Sequence, residues 1–320
     1  MIEAIGLTKR YGEKTAVDGI NFQVEPGRVT GFLGPNGAGK STTMRMIVGL
    51  DRPTSGSVTL NGHRYADLKA PLHEVGVLLD AKAVHTGRSA YNHLRALAAT
   101  HGISRKRVDE VIALTGLESV ARKRVGGFSL GMGQRLGMAS ALLGDPSILI
   151  LDEPVNGLDP EGVIWVRTLA RHMAAQGRTV FLSSHLMSEM AQTADQIIVL
   201  GRGRIIADAP VADIIAQAAG NAVRVRTPDA QRFSKELAGS DVTVTVSEPD
   251  LIVVNGLPAA RIGELAASSK VVLHELTPLA GSLEDAYLAL TEDDVEYHAS
   301  DIDDEATPIS TTATATESAK

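Results

Sequence analysis

Short apolar runs alternate with amphipathic helical stretches through the first two hundred residues, the pattern of a largely parallel sheet covered by helices. Residues 29–33 (VTGFL) read as a buried strand feeding a glycine-rich loop, and 42–50 (TTMRMIVGL) continue as a helix. Further strands are expected at 75–79, 148–151, 179–182 and 196–200. Gly201-Arg202-Gly203 then turns the chain into a last strand at 204–207, giving a hairpin, with a helix near 211–218. From Arg88 to about Leu143 the pattern is helical with no strand signal, which marks a helical subdomain inserted into the α/β core.

Gly220-Asn221 reads as a boundary, and a different rhythm follows it. Residues 223–227 (VRVRT) form a strand pattern, 231–239 a helix, 242–246 (VTVTV) and 251–255 (LIVVN) strands, 259–268 a helix, and 270–276 (KVVLHEL) a strand. The order βαββαβ is that of a split βαβ, ferredoxin-like unit. Residues 283–291 (LEDAYLALT) supply a closing helix. The expected domains are 1–220, with the helical subdomain at about 88–143, then an accessory α+β unit at 221–291. Residues 292–320 are acidic and rich in Ser, Thr and Ala; with too little apolar content for a core, they are expected to be a disordered tail.

Composition narrows the classes. The net charge of −7 speaks against a general nucleic-acid binder, which carries a basic surplus. Arg105-Lys106-Arg107 and Arg122-Lys123-Arg124 read as solvated helix faces or loops. The lack of cysteine excludes disulfides and thiolate metal sites and fits a reducing cytosol. The N-terminus lacks the pattern of a secretory signal, and no window approaches the roughly 18 apolar residues of a membrane span. A soluble chain is expected, reaching a membrane only through a partner.

The chemistry lies in four segments. Residues 34–42 (GPNGAGKST) match the phosphate loop G-x-x-x-x-G-K-[ST], with a strand before and a helix after. Gly34, Pro35, Asn36, Gly37, Ala38 and Gly39 would turn backbone amides toward phosphate oxygens; Thr42 closes the motif. Lys40 would reach the β- and γ-phosphates and Ser41 would ligate Mg²⁺. Residues 148–153 (ILILDE) place Asp152 at a strand end beside the Mg²⁺ position and Glu153 where it can act as general base on water. His185, after the strand TVFLS, is expected to bond the γ-phosphate and orient the base. Residues 128–135 (FSLGMGQR) add a second anion site, because Ser129 and Gly131 open a helix. Two phosphate sites on separate surfaces predict two copies closing around shared nucleotide.

With these segments in this order, the chain resembles the nucleotide-binding subunit of an ABC transporter over about residues 1–215. The resemblance implies a P-loop ABC ATPase domain with a mixed-sheet core. GPNGAGKST stands as Walker A, ILILDE as Walker B with its catalytic glutamate, and FSLGMGQR at the signature position. NGLDP, at 156–160, resembles the D-loop, which implies that Asp159 lies at a dimer interface. Tyr11 occupies the place of the aromatic that stacks on adenine. The chain departs from the family at Leu130, where glycine is usual, and at Met132, where glutamine is common. Asp80 in VGVLLDA stands for the Q-loop glutamine; it either takes over a Mg²⁺ and water contact or is a loop residue. The ending LTPLAGSLEDAYLALT is similar to that of the drug and antibiotic exporter branch. The resemblance implies ATP and Mg²⁺ as cofactors, a homodimer, and a separate integral-membrane permease touching the region of residues 80–100. It places the chain at the cytoplasmic face of the cell membrane, powering export of drug, antibiotic or lipid-like cargo, with no nucleic acid. Two other readings stay open: a soluble ABC ATPase unconnected with transport, and a weakly hydrolysing regulatory module. Asp80 and Leu130 motivate the second, and retention of Lys40, Asp152, Glu153 and His185 weighs against it.

Overall fold

The computed structural model describes residues 1–81, 83–219, 222–239, 242–279 and 281–291. It begins with β1 (Ile2–Tyr11), β2 (Lys14–Val24), β3 (Val29–Leu33), α1 (Lys40–Ile47), β4 (Ser55–Leu60), α2 (Pro71–Glu74) and β5 (Val75–Leu78). The helical stretch follows as α3 (Ala90–Thr100), α4 (Arg105–Leu114) and α5 (Leu130–Leu142). Next come β6 (Ile148–Leu151), α6 (Pro160–Ala175), β7 (Thr179–Ser183), α7 (Met187–Thr193), β8 (Gln196–Gly201), β9 (Arg204–Pro210) and α8 (Val211–Ala219). The remainder holds β10 (Val223–Arg226), α9 (Ala230–Leu237), β11 (Thr243–Glu248), β12 (Leu251–Asn255), α10 (Ala259–Ser268), β13 (Glu275–Pro278) and α11 (Leu283–Thr291).

The central sheet has the order β5-β6-β7-β3-β8-β9. Its first five strands pair in parallel, and β9 closes the edge antiparallel to β8. Every residue of β3, β6 and β7 is buried, as expected of parallel strands covered on both faces. The β8–β9 turn is Arg202-Gly203, with φ of 44° and 80°, the left-handed pair a two-residue hairpin requires.

One face of this sheet is covered by a second, antiparallel sheet of order β2-β1-β4. Phe22 of the second sheet stacks at 6.1 Å from Phe32 and 5.9 Å from Phe181, which lie 5.1 Å apart on the first. The apolar runs do not announce this sheet. Pairing along β1 shifts register between Ala4 and Leu7, where Gly6 has φ of 57°, so the alternation that marks a half-buried strand is broken. Helix α1 joins that layer through Met44 and Ile47, while the opposite face carries the later helices, with Leu94, Val108, Leu136, Leu169 and Met190 in one core. The stretch from α3 to α5 contains no strand among its described residues.

Strands β11-β12-β10-β13 form an antiparallel sheet in that order, the ferredoxin-like arrangement. Val225, Phe233, Ile252 and Ile262 make its separate core. Two features differ from the sequence expectation. The last strand begins at Glu275 rather than near 270, since Lys270 is left-handed (φ 54°) and four-residue β10 offers pairing only from Glu275 to Pro278. Helix α11 leaves this unit: Leu283 and Ala286 join the first core, against α7 and α8. The expected boundary at Gly220-Asn221 and the tail 292–320 lie outside the described residues. Among the described residues no helix is long and apolar enough to cross a membrane.

Candidate functional site

Strand order brings the chemistry together. The C-terminal ends of β5, β6, β7 and β3 lie side by side, the edge where open α/β sheets hold ligands. From them issue Asp80, Asp152 with Glu153, Ser183 with His185, and the loop 34–39 that leads to Lys40.

The loop is shaped by what its glycines avoid. A Cβ on Gly39, whose φ is 107°, would lie 2.5 Å from the Ala16 carbonyl oxygen. One on Gly34 would overlap the Leu200 carbonyl. The β8–β9 turn fastens the loop from outside. The Gly203 amide donates to the Ala38 carbonyl at 3.0 Å, and the Gly203 carbonyl accepts from the Asp18 amide at 2.9 Å. Inside, Lys40 Nζ donates to the carbonyls of Gly34 at 2.6 Å and Pro35 at 3.2 Å. Asn36 and Gly37 stand exposed at the crest, with Ser41 exposed just beyond Lys40. Burial pushes the Lys40 ammonium below the ordinary lysine value of 10.5, while Glu153 and Asp152 oppose that shift. The buried cation therefore faces two carboxylates across the strand ends. The free amides of the first turn of α1 open beside it, an anion-binding terminus.

Glu153 is held in a left-handed conformation with φ of 49°, uncommon for a residue with a Cβ. Its backbone is secured on both sides. Its amide donates to Ser183 Oγ at 2.9 Å, and its carbonyl accepts from Gln134 Nε2 at 3.0 Å. Ser183 Oγ donates in turn to Asp152 Oδ1 at 2.5 Å. The Glu153 carboxylate pairs through Oε2 with His185 Nδ1 at 2.7 Å. Ser183 and Gln134 escape motif reading. The available signals are faint: a serine ending a strand beside β6, and a lone amide in the apolar run after Ser129.

A second cluster surrounds the starts of α5 and α6. Ser129 caps α5 by accepting from the Met132 amide at 3.2 Å, and Asp159 caps α6 by accepting from the Gly162 amide at 3.1 Å. Arg135 links them: its guanidinium lies 3.8 Å from Asp159 Oδ1, donates to the Thr115 carbonyl at 3.2 Å, and sits 5.6 Å from the Trp165 ring centroid. Leu130 packs over Gly157, where a Cβ would overlap its side chain; a Cβ on Gly131 would lie 2.8 Å from the Gly157 carbonyl oxygen. The leucine in the glycine position is thus matched by a bare backbone opposite.

Tyr11 lies beside the first turn of α1, its phenol in reach of Thr42, which closes the phosphate loop. It is half exposed, its hydroxyl donates to Asp51 Oδ2 at 3.0 Å, and Lys9 Nζ stands 4.9 Å from its ring centroid. Desolvation, then the Asp51 carboxylate, pushes its phenol above the ordinary value. Asp80 is exposed at the end of β5, and its carbonyl accepts from the Ala83 amide at 3.2 Å. Topology brings it to the same edge of the sheet as Asp152.

A phosphate loop around a buried lysine, beside an Asp-Glu strand end, defines the class: a P-loop nucleoside triphosphatase. Comparison with known proteins narrows it. Residues 17–156 match the ABC transporter family, and residues 221–284 match a domain of unknown function, DUF8746. The chain is 41% identical over 213 residues to the bacitracin transport ATP-binding protein BcrA of Bacillus licheniformis, covering 66% of this chain and 70% of that protein. It is 35% identical over 301 residues to the Nod factor export ATP-binding protein I of Paraburkholderia xenovorans, covering 91% and 96% respectively. A dimeric bacterial ABC transporter cassette superposes with a TM-score of 0.61 at 26% identity, covering 66% of this chain and 99% of the cassette. The chain belongs to the ATP-binding proteins of the ABC transporter family and is an ATPase.

Proposed function

We propose that the chain is the ATP-hydrolysing subunit of an exporter for antibiotic or lipid-like cargo, acting as a homodimer at the cytoplasmic face under a separate integral-membrane permease. The observation that carries the reading is the fixed Glu153 carboxylate, held at the strand ends beside the phosphate loop and bonded to His185. The names of the two relatives above, one of bacitracin transport and one of Nod factor export, support the cargo class, and the second supports the direction.

In this reading Glu153 takes the proton of the attacking water, and His185 orients that carboxylate and contacts the γ-phosphate. Lys40 and the loop amides bind the phosphates, and Tyr11 stacks on the adenine. Ser129 and Gly131 of one subunit, with Asp159 nearby, face the nucleotide held by the other subunit's loop. Ser41, Asp152 and Asp80 are hard oxygen donors. Among the described residues no group of three His, Cys, Asp or Glu is set to hold a metal. That fits Mg²⁺, which takes one or two carboxylates and completes its shell with phosphate oxygens and water. When bound, Mg²⁺ neutralises charge developing on the phosphoryl oxygens.

Asp80 is the residue placed to answer the permease. Asp80→Ala is expected to lower permease-stimulated ATP turnover by about 10-fold while leaving ATP affinity within about 2-fold. Turnover in proteoliposomes with the permease, set beside equilibrium nucleotide binding, reads both. Equal turnover in variant and wild type would leave Asp80 a loop residue. Failure of any integral-membrane protein to co-isolate with the full chain from membranes would count against the export reading.

Lys40 gives a pH signature. Its free-protein pKa is depressed by burial, and an incoming phosphate anion would raise it again. At pH between the two values, nucleotide binding takes up a proton, and affinity falls as pH rises through that alkaline window. Calorimetry in buffers of different ionisation enthalpy should show proton uptake on nucleotide binding as pH rises through that window. Proton release on binding would contradict the assignment of Lys40.

A further inference from the structure

We infer that Gln134 is a positioning residue that ties the state of one nucleotide site to the alignment of the general base in the other. The inference rests on the proposed roles of Glu153, Ser129 and Gly131. Gln134 is 5% exposed, on α5, and its Nε2 donates to the carbonyl of Glu153 at 3.0 Å. It lies five residues beyond Ser129, so about 7.5 Å along the helix from the cap at the axial rise of an α-helix.

Strain makes that bond consequential. A left-handed glutamate persists only where its surroundings over-determine it. Two groups do so. Ser183 sits at the end of β7, an interior strand of the central sheet, and is fixed with it. Gln134 sits on the helix whose first turn, in the proposed dimer, meets the partner's phosphate. Of the two supports, only Gln134 belongs to an element that a nucleotide in the other site touches. A shift of α5 on engaging that phosphate moves the amide that holds Glu153, and with it the carboxylate paired to His185. Each subunit would then hydrolyse its own ATP at a rate set by occupancy of the other site.

The test uses the full chain carrying Gln134→Met, which keeps length and loses the donor, and Gln134→Glu, which keeps shape and presents an acceptor to the carbonyl. If either fails to fold, the other carries the test. The wild type is expected to hydrolyse ATP with a Hill coefficient above 1, at most about 2 for two coupled sites. In the variants kcat should fall about 10-fold, the scale of one lost hydrogen bond in the transition state, with KM within about 2-fold. The Hill coefficient should fall to about 1. A fall in kcat with unchanged cooperativity would make Gln134 a structural support only and overturn the coupling. Wild-type behaviour in both variants, or a wild type without cooperativity, would overturn it too. Glu153→Gln separates this inference from the functional reading beneath it. Full turnover in that variant sinks the reading itself. An inactive Glu153→Gln beside fully cooperative Gln134 variants sinks the coupling alone.

Discussion

Glu153→Gln is expected to cut ATP turnover by at least about 100-fold while nucleotide still binds. The substitution is isosteric, and the two bonds that hold the backbone of Glu153 come from Ser183 and Gln134 to its peptide groups, so they survive. What is lost is the carboxylate that accepts a proton from water and pairs with His185 at 2.7 Å. One of the two negative charges favouring the Lys40 ammonium is lost as well, so the depression of its pKa deepens. Phosphate release under saturating MgATP and equilibrium binding of a fluorescent ATP analogue measure the two sides. Turnover at the wild-type rate would remove Glu153 from the mechanism.

Lys40→Met should have the second largest effect, and on both quantities. Lys40 Nζ is fixed at 2.6 Å from the Gly34 carbonyl inside the loop and is buried, so no solvent ion replaces it. Turnover is expected to fall at least about 100-fold, because the lysine stabilises charge that grows on the phosphoryl oxygens. ATP affinity should weaken about 10-fold, the scale of a lost charge-assisted contact. Stability should barely move. The variant leaves two carbonyls without this donor but also removes a charge that burial disfavours, and such opposed effects cancel to within about 1 kcal/mol. A thermal melt therefore separates the two explanations. A large loss of stability in the free protein would mean that Lys40 is structural, whereas loss of turnover in a stable protein places it at the phosphates.

Much of the core was legible in the chain, for a physical reason. Strands β3, β6 and β7 are buried on both faces, so their apolar runs stand out against polar flanks. LIVVN and AARIGELAAS appear as β12 and α10 at their expected limits. The antiparallel sheet was hidden because its alternation breaks at register shifts in β1 and because Lys9, Arg10 and Tyr11 end it in a polar run. Helix α11 was visible as a helix, but its periodicity cannot say which of two cores its apolar face joins. The phosphate loop and the Asp-Glu strand end were legible because their spacing is dictated by the phosphates they would hold. Gln134 was not. Its meaning depends on a contact to a residue nineteen positions away, and one amide in an apolar helix carries no periodic signal. Leu130 likewise looks like a defect in sequence, while in space it covers the bare backbone of Gly157.

The central claim is that two copies close around shared ATP, and mass measurement tests it most directly. Light scattering on Glu153→Gln, with and without MgATP, would follow a chain of 33.7 kDa. A single-chain mass is expected without nucleotide and twice that mass with ATP, reverting when Ser129 in the same chain is also changed to Arg to block the opposing phosphate. A mass that stays at one chain in saturating ATP, or a dimer indifferent to both ATP and Ser129, would contradict it.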